Sequence, residues 1–209
     1  MAKEWVFDSE LENRRLSLEE SGFDSYCLQT MAGNEIDLAR EMNILHPFVL
    51  AMPFVKFMHK SKNGVKSTVQ SVLLPGYVFL FLPKGESVWK IKRGGVSFRF
   101  VENMDKGNLV LKGSDKRYAL WVFNSGGILG MSKAIKVNGR VKVVGGPLYN
   151  MVGNIKEYSE KNRNCRIEIS FFNRIISMWL PFQWVEEVPD DTPDMKPSSS
   201  ENTETSEKN

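Results

Sequence analysis

Reactive side chains are scarce in this 209-residue chain: two cysteines, Cys27 and Cys165, and two histidines, His46 and His59. Two thiols make no disulfide framework, and both sit in apolar stretches, beside Leu28 and near Ile167, as reduced thiols of a cytosolic protein do. Neither histidine stands at a metal-ligand spacing from a cysteine, so no metal site is expected. No paired carboxylates stand out, and Gly145-Gly146-Pro147 lacks the lysine and hydroxyl of a phosphate-binding loop. The one enzymatic reading left pairs Cys27 with a histidine as nucleophile and base; the plainer reading is an inert core thiol. The expectation is a protein that is not an enzyme, with no catalytic residues and no cofactor. Long apolar runs are also missing: the longest, around 48–55 and 77–82, are too short or proline-broken to span a bilayer. The start, Met1-Ala2-Lys3-Glu4, lacks signal-peptide character, and a cytoplasmic location is expected.

Charge is present but unevenly placed. Residues 1–25 hold three Lys/Arg against seven Asp/Glu, and 189–209 hold two against six, so each end is −4. The whole chain is +3, which leaves +11 on residues 26–188. A body this basic suits a polyanionic neighbour, most simply nucleic acid, while the same excess also serves solubility.

The most patterned stretch is 139–188. Val141, Val143 and Val144 read as a short strand, Gly146-Pro147 punctuates it, and Asn150 and Gly153 fall where a loop tolerates positive φ. Ile155 opens a second strand, and 159–164 is a charged hairpin connection. Arg166-Ile167-Glu168-Ile169-Ser170-Phe171 alternates as a half-buried strand. A turn at Asn173-Arg174 leads into 175–180, and Trp184-Val185-Glu186 closes the set. Five short strands in this span predict a small closed barrel. The run Gly-Pro-Leu, Gly153, the basic hairpin and Phe172-Asn173-Arg174 resembles the KOW domain of the NusG family of transcription elongation factors. That family usually has glycine where Asn173 stands and often where Asn150 stands; asparagine is compatible with a left-handed position.

Upstream, 1–24 is an acidic, weakly patterned extension in which Leu11, Arg15 and Leu18 mark a short helix ending near Gly22. Tyr26-Cys27-Leu28-Gln29-Thr30 reads as a strand. Asn34 caps a helix with Leu38, Met42 and Leu45 on one face, stopped by Pro47. Extended segments follow at 48–52 and 54–58. A lysine-rich hairpin tip centres on Asn63-Gly64, the return strand runs through 68–72, and Leu74-Pro75-Gly76 turns into the strand 77–82. Residues 85–92 read as helical with Trp89 buried, 96–101 as a strand and 115–124 as a helix. This order predicts an α+β sandwich. Together with Leu74-Pro75-Gly76-Tyr77-Val78-Phe79, Trp89 and Phe100-Val101, it resembles the amino-terminal NGN domain of the same family. The expected division is therefore 1–24 extension, 25–124 NGN-type α/β sandwich, 125–138 glycine-rich linker, 139–188 SH3-like KOW β-barrel, and 189–209 a disordered acidic tail.

The resemblance implies a factor that lays an apolar NGN patch on the clamp helices of RNA polymerase and favours processive elongation or antitermination. Carried over by motif, the polymerase-binding candidates are Leu74, Tyr77, Phe79, Trp89 and Phe100, although strand aromatics alternate and some must face the core. Lys60, Lys62 and Lys66 are candidates for upstream DNA or the polymerase rim. In the KOW domain, Phe172 and Arg174 match a loop used toward ribosomal or termination-factor proteins. Arg140, Lys142, Lys156, Lys161, Arg163 and Arg166, beside Tyr149 and Tyr158, suit contact with a nascent RNA hairpin. The acidic ends and the departures at Leu74, Asn150 and Asn173 point toward a specialised antitermination paralogue of the LoaP, RfaH or UpxY kind, acting as a monomer. The alternative is a ribosome- or RNA-associated KOW adaptor that does not bind polymerase.

Overall fold

The structure, a computed structural model, describes residues 3–62, 65–102, 107–138, 140–149 and 155–185. In chain order the elements are α1 (Ser9–Ser21), β1 (Phe23–Thr30), α2 (Glu35–Leu45), β2 (Leu50–Met52), β3 (Val55–Lys62), β4 (Val65–Val72) and β5 (Tyr77–Pro83). A 3-10 turn (Val88–Lys90), β6 (Phe98–Phe100), α3 (Gly113–Asn124) and β7 (Ile128–Leu129) follow. The last five strands are β8 (Ser132–Val137), β9 (Arg140–Gly145), β10 (Ile155–Ser159), β11 (Asn164–Phe171) and β12 (Arg174–Trp184).

The apolar run of β5 is continuous because both of its faces are covered: Val78 to Leu82 are all buried. Phe79 and Phe81 meet Tyr118 and Phe123 of α3, with ring centroids 5.6 and 4.9 Å apart. Period-two alternation sends Val78, Leu80 and Leu82 to the opposite face. β5 sits inside a four-stranded sheet of order β2-β5-β1-β6, antiparallel throughout. Helix α2 packs on β2 and β5 through Leu38 and Met42, whereas Leu45, the last helical residue, is left exposed. Beside this sheet β4-β3-β7 makes a smaller one, and β10-β11-β12-β8-β9 makes the carboxy-terminal barrel. The result is the α+β arrangement of an NGN-type sandwich followed by a KOW-type barrel.

Several expectations change. Residues 85–92 form only the three-residue 3-10 turn, capped by the Ser87 side chain, which is too short to present a buried face, so Trp89 is 88 % exposed. Asn34 stands at the α2 N-cap without a side-chain bond. Residues 125–138 are not an open linker: β7 pairs in parallel with Val55 and Lys56, and β8 pairs with both β9 and β12. The barrel thus begins at Ser132, with Ser132 and Ala134 turned inward on either side of the exposed Lys133. The two closing strands expected at 175–180 and 184–186 are the single strand β12. Pro181 fits there because it faces Asn164, the first residue of β11, where a missing N–H falls at the end of the ladder.

The extension is built in rather than appended. Asp8 caps α1 through the Leu11 N–H, Gly22 ends it, and Leu11 and Leu18 are buried. Trp5 is 2 % exposed, its indole N–H donates to the Gly126 carbonyl at 2.9 Å, and its main chain exchanges two hydrogen bonds with the Gln70 amide. The Asn63-Gly64 tip, Asn150, Gly153 and the tail 189–209 lie outside the described residues.

Candidate interaction face

Leu74-Pro75-Gly76-Tyr77 closes a turn through the Tyr77 N–H to the Leu74 carbonyl, 3.2 Å, with Gly76 at φ +85°. Proline then glycine at the two central positions is the chemistry of a type II turn. The turn is fastened by the Thr30 N–H to the Gly76 carbonyl, 2.9 Å, and by the Gly76 N–H to the Glu35 carboxylate, 2.6 Å. Tyr77 therefore enters β5 on the same face as Phe79 and Phe81, the face toward α3.

That face is occupied. The ring of Phe171, at the end of β11, lies 6.0 Å from Tyr77, 5.6 Å from Phe79 and 5.1 Å from Tyr118. The next residue, Phe172, donates its N–H to Oδ1 of Asp115 at 2.9 Å, and Asp115 is buried in the first turn of α3. Phe172 and Asn173 form the β11–β12 turn with φ of 46° and 56°. Two consecutive left-handed residues make the tight turn that matches strand twist. Asparagine suits that conformation, while phenylalanine adopts it rarely, and here the bond to Asp115 and the edge-to-face contact with Phe171 (4.6 Å) hold it. A third tie runs from Lys56 Nζ on β3 to the Trp179 carbonyl on β12, 2.5 Å, and desolvation lowers that ammonium's pKa.

The five polymerase-binding candidates do not share one open patch. Tyr77 is half-buried and Phe79 fully buried beneath Phe171, and Leu74 is buried in the turn. Phe100 stands on the other face of the sheet: it is opposite Leu28, which is opposite Val78, and its ring lies 6.4 Å from Tyr26. Trp89 is on the exposed turn. Phe172 and Arg174 come together at the β11–β12 turn, with Arg174 exposed.

No family model matches the sequence. Curated relatives do. The chain is 24% identical over 149 residues to the transcription termination/antitermination protein NusG of Thermus thermophilus, covering 66% of this chain and 79% of that one. It is also 24% identical over 174 residues to NusG of Helicobacter pylori strain J99, covering 79% of this chain and 98% of that one. The chain is similar to NusG proteins. A solved structure described as "Domain interaction in Thermotoga maritima NusG" superposes with a TM-score of 0.41 at 19% identity, over 76% of this chain and 93% of that one.

On the barrel, Lys142, Lys156, Lys161 and Arg163 are exposed, and Tyr149 is 58 % exposed. Tyr158 is more covered, its ring 6.4 Å from Phe182. Arg166 is not free: it pairs with Glu157 at 3.2 Å and Glu168 at 2.6 Å. The side chains of Arg140, Lys60, Lys62 and Lys66 lie outside the described residues. Burial pushes the Cys165 thiol up to about 11 and the Cys27 thiol well above its ordinary value, Asp115 adding to the latter. His46 is spent on the Lys92 main chain, 3.2 Å, so it forms no dyad with Cys27. Sequence assigns Phe171, Asp115 and Lys56 no site role, and Glu35 enters only through the Gly33-Asn34-Glu35 run of the NGN resemblance. Phe171 reads as the last inward residue of an alternating strand, and only the fold shows that its ring reaches a second unit.

Proposed function

We propose that this chain is a transcription factor that binds the clamp helices of RNA polymerase through the face around Tyr77 and Phe79, and that it promotes processive elongation or antitermination. The observation that supports this reading is the aromatic face itself. Its entry turn is pinned by proline, glycine and two main-chain bonds, and it already accepts an apolar element, the Phe171-Phe172 turn. An aromatic with a polar tip suits a surface that is dry in one state and wet in another. Polymerase binding on this reading requires the barrel to leave the face, since Phe171 stands where a helix pair would dock.

The exposed barrel cations Lys142, Lys156, Lys161 and Arg163 with Tyr149 offer phosphate contact and a stacking ring for nascent RNA. Phe172 and Arg174 offer the partner-protein loop; Phe172 is held here by Asp115 and becomes free once the barrel departs, while Arg174 is already exposed. The built-in amino-terminal segment agrees with a specialised paralogue.

The test is retention of the full chain on immobilised core RNA polymerase, comparing wild type with Tyr77→Ala. The ring lies at the rim of the face, so the variant is expected to fold and to lose about 1–3 kcal/mol of affinity, as a hot-spot aromatic does. A wild-type chain that binds labelled RNA but is not retained on polymerase would replace this reading with that of an RNA-associated KOW adaptor.

A further inference from the structure

We propose that Glu35 is a positioning residue for the Tyr77 face, a role that rests on the polymerase-binding reading. Glu35 is the first residue of α2 and is 1 % exposed, yet among the described residues it has no cationic partner. Its carboxylate is held by main chain instead. The Gly33 N–H reaches both oxygens, at 2.9 and 3.0 Å, and the Gly76 N–H reaches Oε1 at 2.6 Å. A buried charge is tolerated only where such donors and the positive end of a helix compensate it.

Capping α2 does not require this arrangement, because a serine or asparagine one residue earlier would serve. What the carboxylate adds is a bond across 41 residues, from the β1–α2 loop to the turn that launches β5. Gly76 is fixed from the other side too: its carbonyl accepts from Thr30, and a Cβ on it would lie 3.3 Å from the Thr30 carbonyl oxygen. Tyr77 is the next residue. The direction of its Cα–Cβ bond is thereby set by Glu35, Thr30 and Leu74 together, and Glu35 is the only one of the three that acts through a side chain. Pre-set geometry of this kind removes ordering cost at the moment of binding.

The experiment measures binding of the full chain to core RNA polymerase, thermal unfolding, and main-chain hydrogen exchange at Gly76 and Tyr77. Variants are Glu35→Ala, Glu35→Gln, Tyr77→Ala and the double Glu35→Ala/Tyr77→Ala. Glu35→Ala is expected to weaken binding about tenfold, the loss of one charge-assisted bond's worth of order. Exchange at Gly76 and Tyr77 should speed up more than in the rest of β5. Glu35→Gln keeps an oxygen able to accept from both glycines and should stay within about threefold of wild type. In the Tyr77→Ala background, Glu35→Ala should cost nothing more, because it acts through that ring. Additive losses, or an affinity unchanged or raised by Glu35→Ala, overturn the proposal. If Glu35→Ala does not fold, Gly76→Ala disturbs the same turn from its other side, and normal binding by that variant overturns it equally. If wild type does not bind polymerase, the functional reading fails. Exchange at Gly76 and Tyr77 then decides the positioning role alone, and no selective acceleration refutes it.

Discussion

Phe171→Ala is the substitution that separates the two units most directly. Phe171 ends the inward row Cys165, Ile167, Ile169, Phe171 of β11, but its ring is buried against Tyr77, Phe79 and Tyr118 of the other unit. Burying a phenylalanine contributes about 1.5–3 kcal/mol, and each well-placed aromatic pair adds roughly 0.5–1.5. Truncating a buried phenylalanine costs about 3–5 kcal/mol in total. If about 3 kcal/mol of that falls on docking rather than on the barrel, the docked-to-open ratio drops more than about a hundredfold, since 1.4 kcal/mol is a factor of ten. The Asp115–Phe172 and Lys56–Trp179 bonds remain, so the shift read here is that of the aromatic contact alone. Small-angle scattering should then show a larger radius of gyration, hydrogen exchange at the start of α3 should accelerate, and affinity for core polymerase should rise. An unchanged scattering profile and an unchanged affinity would refute this account of the face. So would melting of the barrel alone, which would make Phe171 a barrel-core residue.

Trp5→Ala should lower stability by about 3–5 kcal/mol in chemical denaturation, because it empties a buried site and orphans the Gly126 carbonyl. A loss under about 1 kcal/mol would return residues 3–8 to the status of a loose extension. Alkaline titration should destabilise the fold. The native thiols hold their protons to a higher pH than the unfolded chain does, Cys165 to about 11, so the urea midpoint should fall as pH rises from about 9 through 11. A flat profile there, or one that Cys165→Ala leaves unaltered, counts against the burial assigned to that thiol. A fragment of residues 131–185 should show a β-type circular-dichroism spectrum, while 139–185 should not fold, because it lacks β8 and leaves both β9 and β12 with an unpaired edge.

The sequence carried the sandwich well where one physical signal acted alone. Leu74-Pro75-Gly76 can only be a turn, and the strict alternation of 166–171 can only be a half-buried strand. It failed where signals competed. Residues 125–130 are rich in glycine and serine, yet Gly126 and Gly127 are there for close approach: a Cβ on Gly127 would sit 2.5 Å from the Pro53 carbonyl oxygen, and one on Gly126 would strike Phe7. Flexibility and tight packing ask for the same residue, so composition alone reads as a linker. β8 is hard to read because its two inward residues, Ser132 and Ala134, are small and two of its six residues are exposed lysines. Trp89 is expected inside because 85–92 reads as a helix, whereas only three residues of that turn are helical and none of them is buried. The basic cluster was legible as composition but not as geometry: Arg166 counts toward net charge, while its guanidinium is already matched by Glu157 and Glu168.

The occupied face also sets the terms on which a partner would engage. On the proposed reading, polymerase competes with the barrel for Tyr77 and Phe79, so its apparent affinity is its affinity for the open form multiplied by the open fraction. An open fraction of about one in a hundred costs about a hundredfold, and any ligand that favours the open form restores it. Phe172 and Arg174 are the residues through which such a ligand would act. Phe172 gives its N–H to Asp115 and meets Phe171 edge-to-face in the docked form, so a protein that takes this turn must first pull it from α3. Binding at the turn and binding at the Tyr77 face then help one another by the same factor in both directions, as linkage requires. Asp115→Ala tests the coupling without touching either surface's aromatic residues: leaving the Phe172 N–H without its acceptor costs roughly 1–3 kcal/mol of docking, and both affinities should rise together.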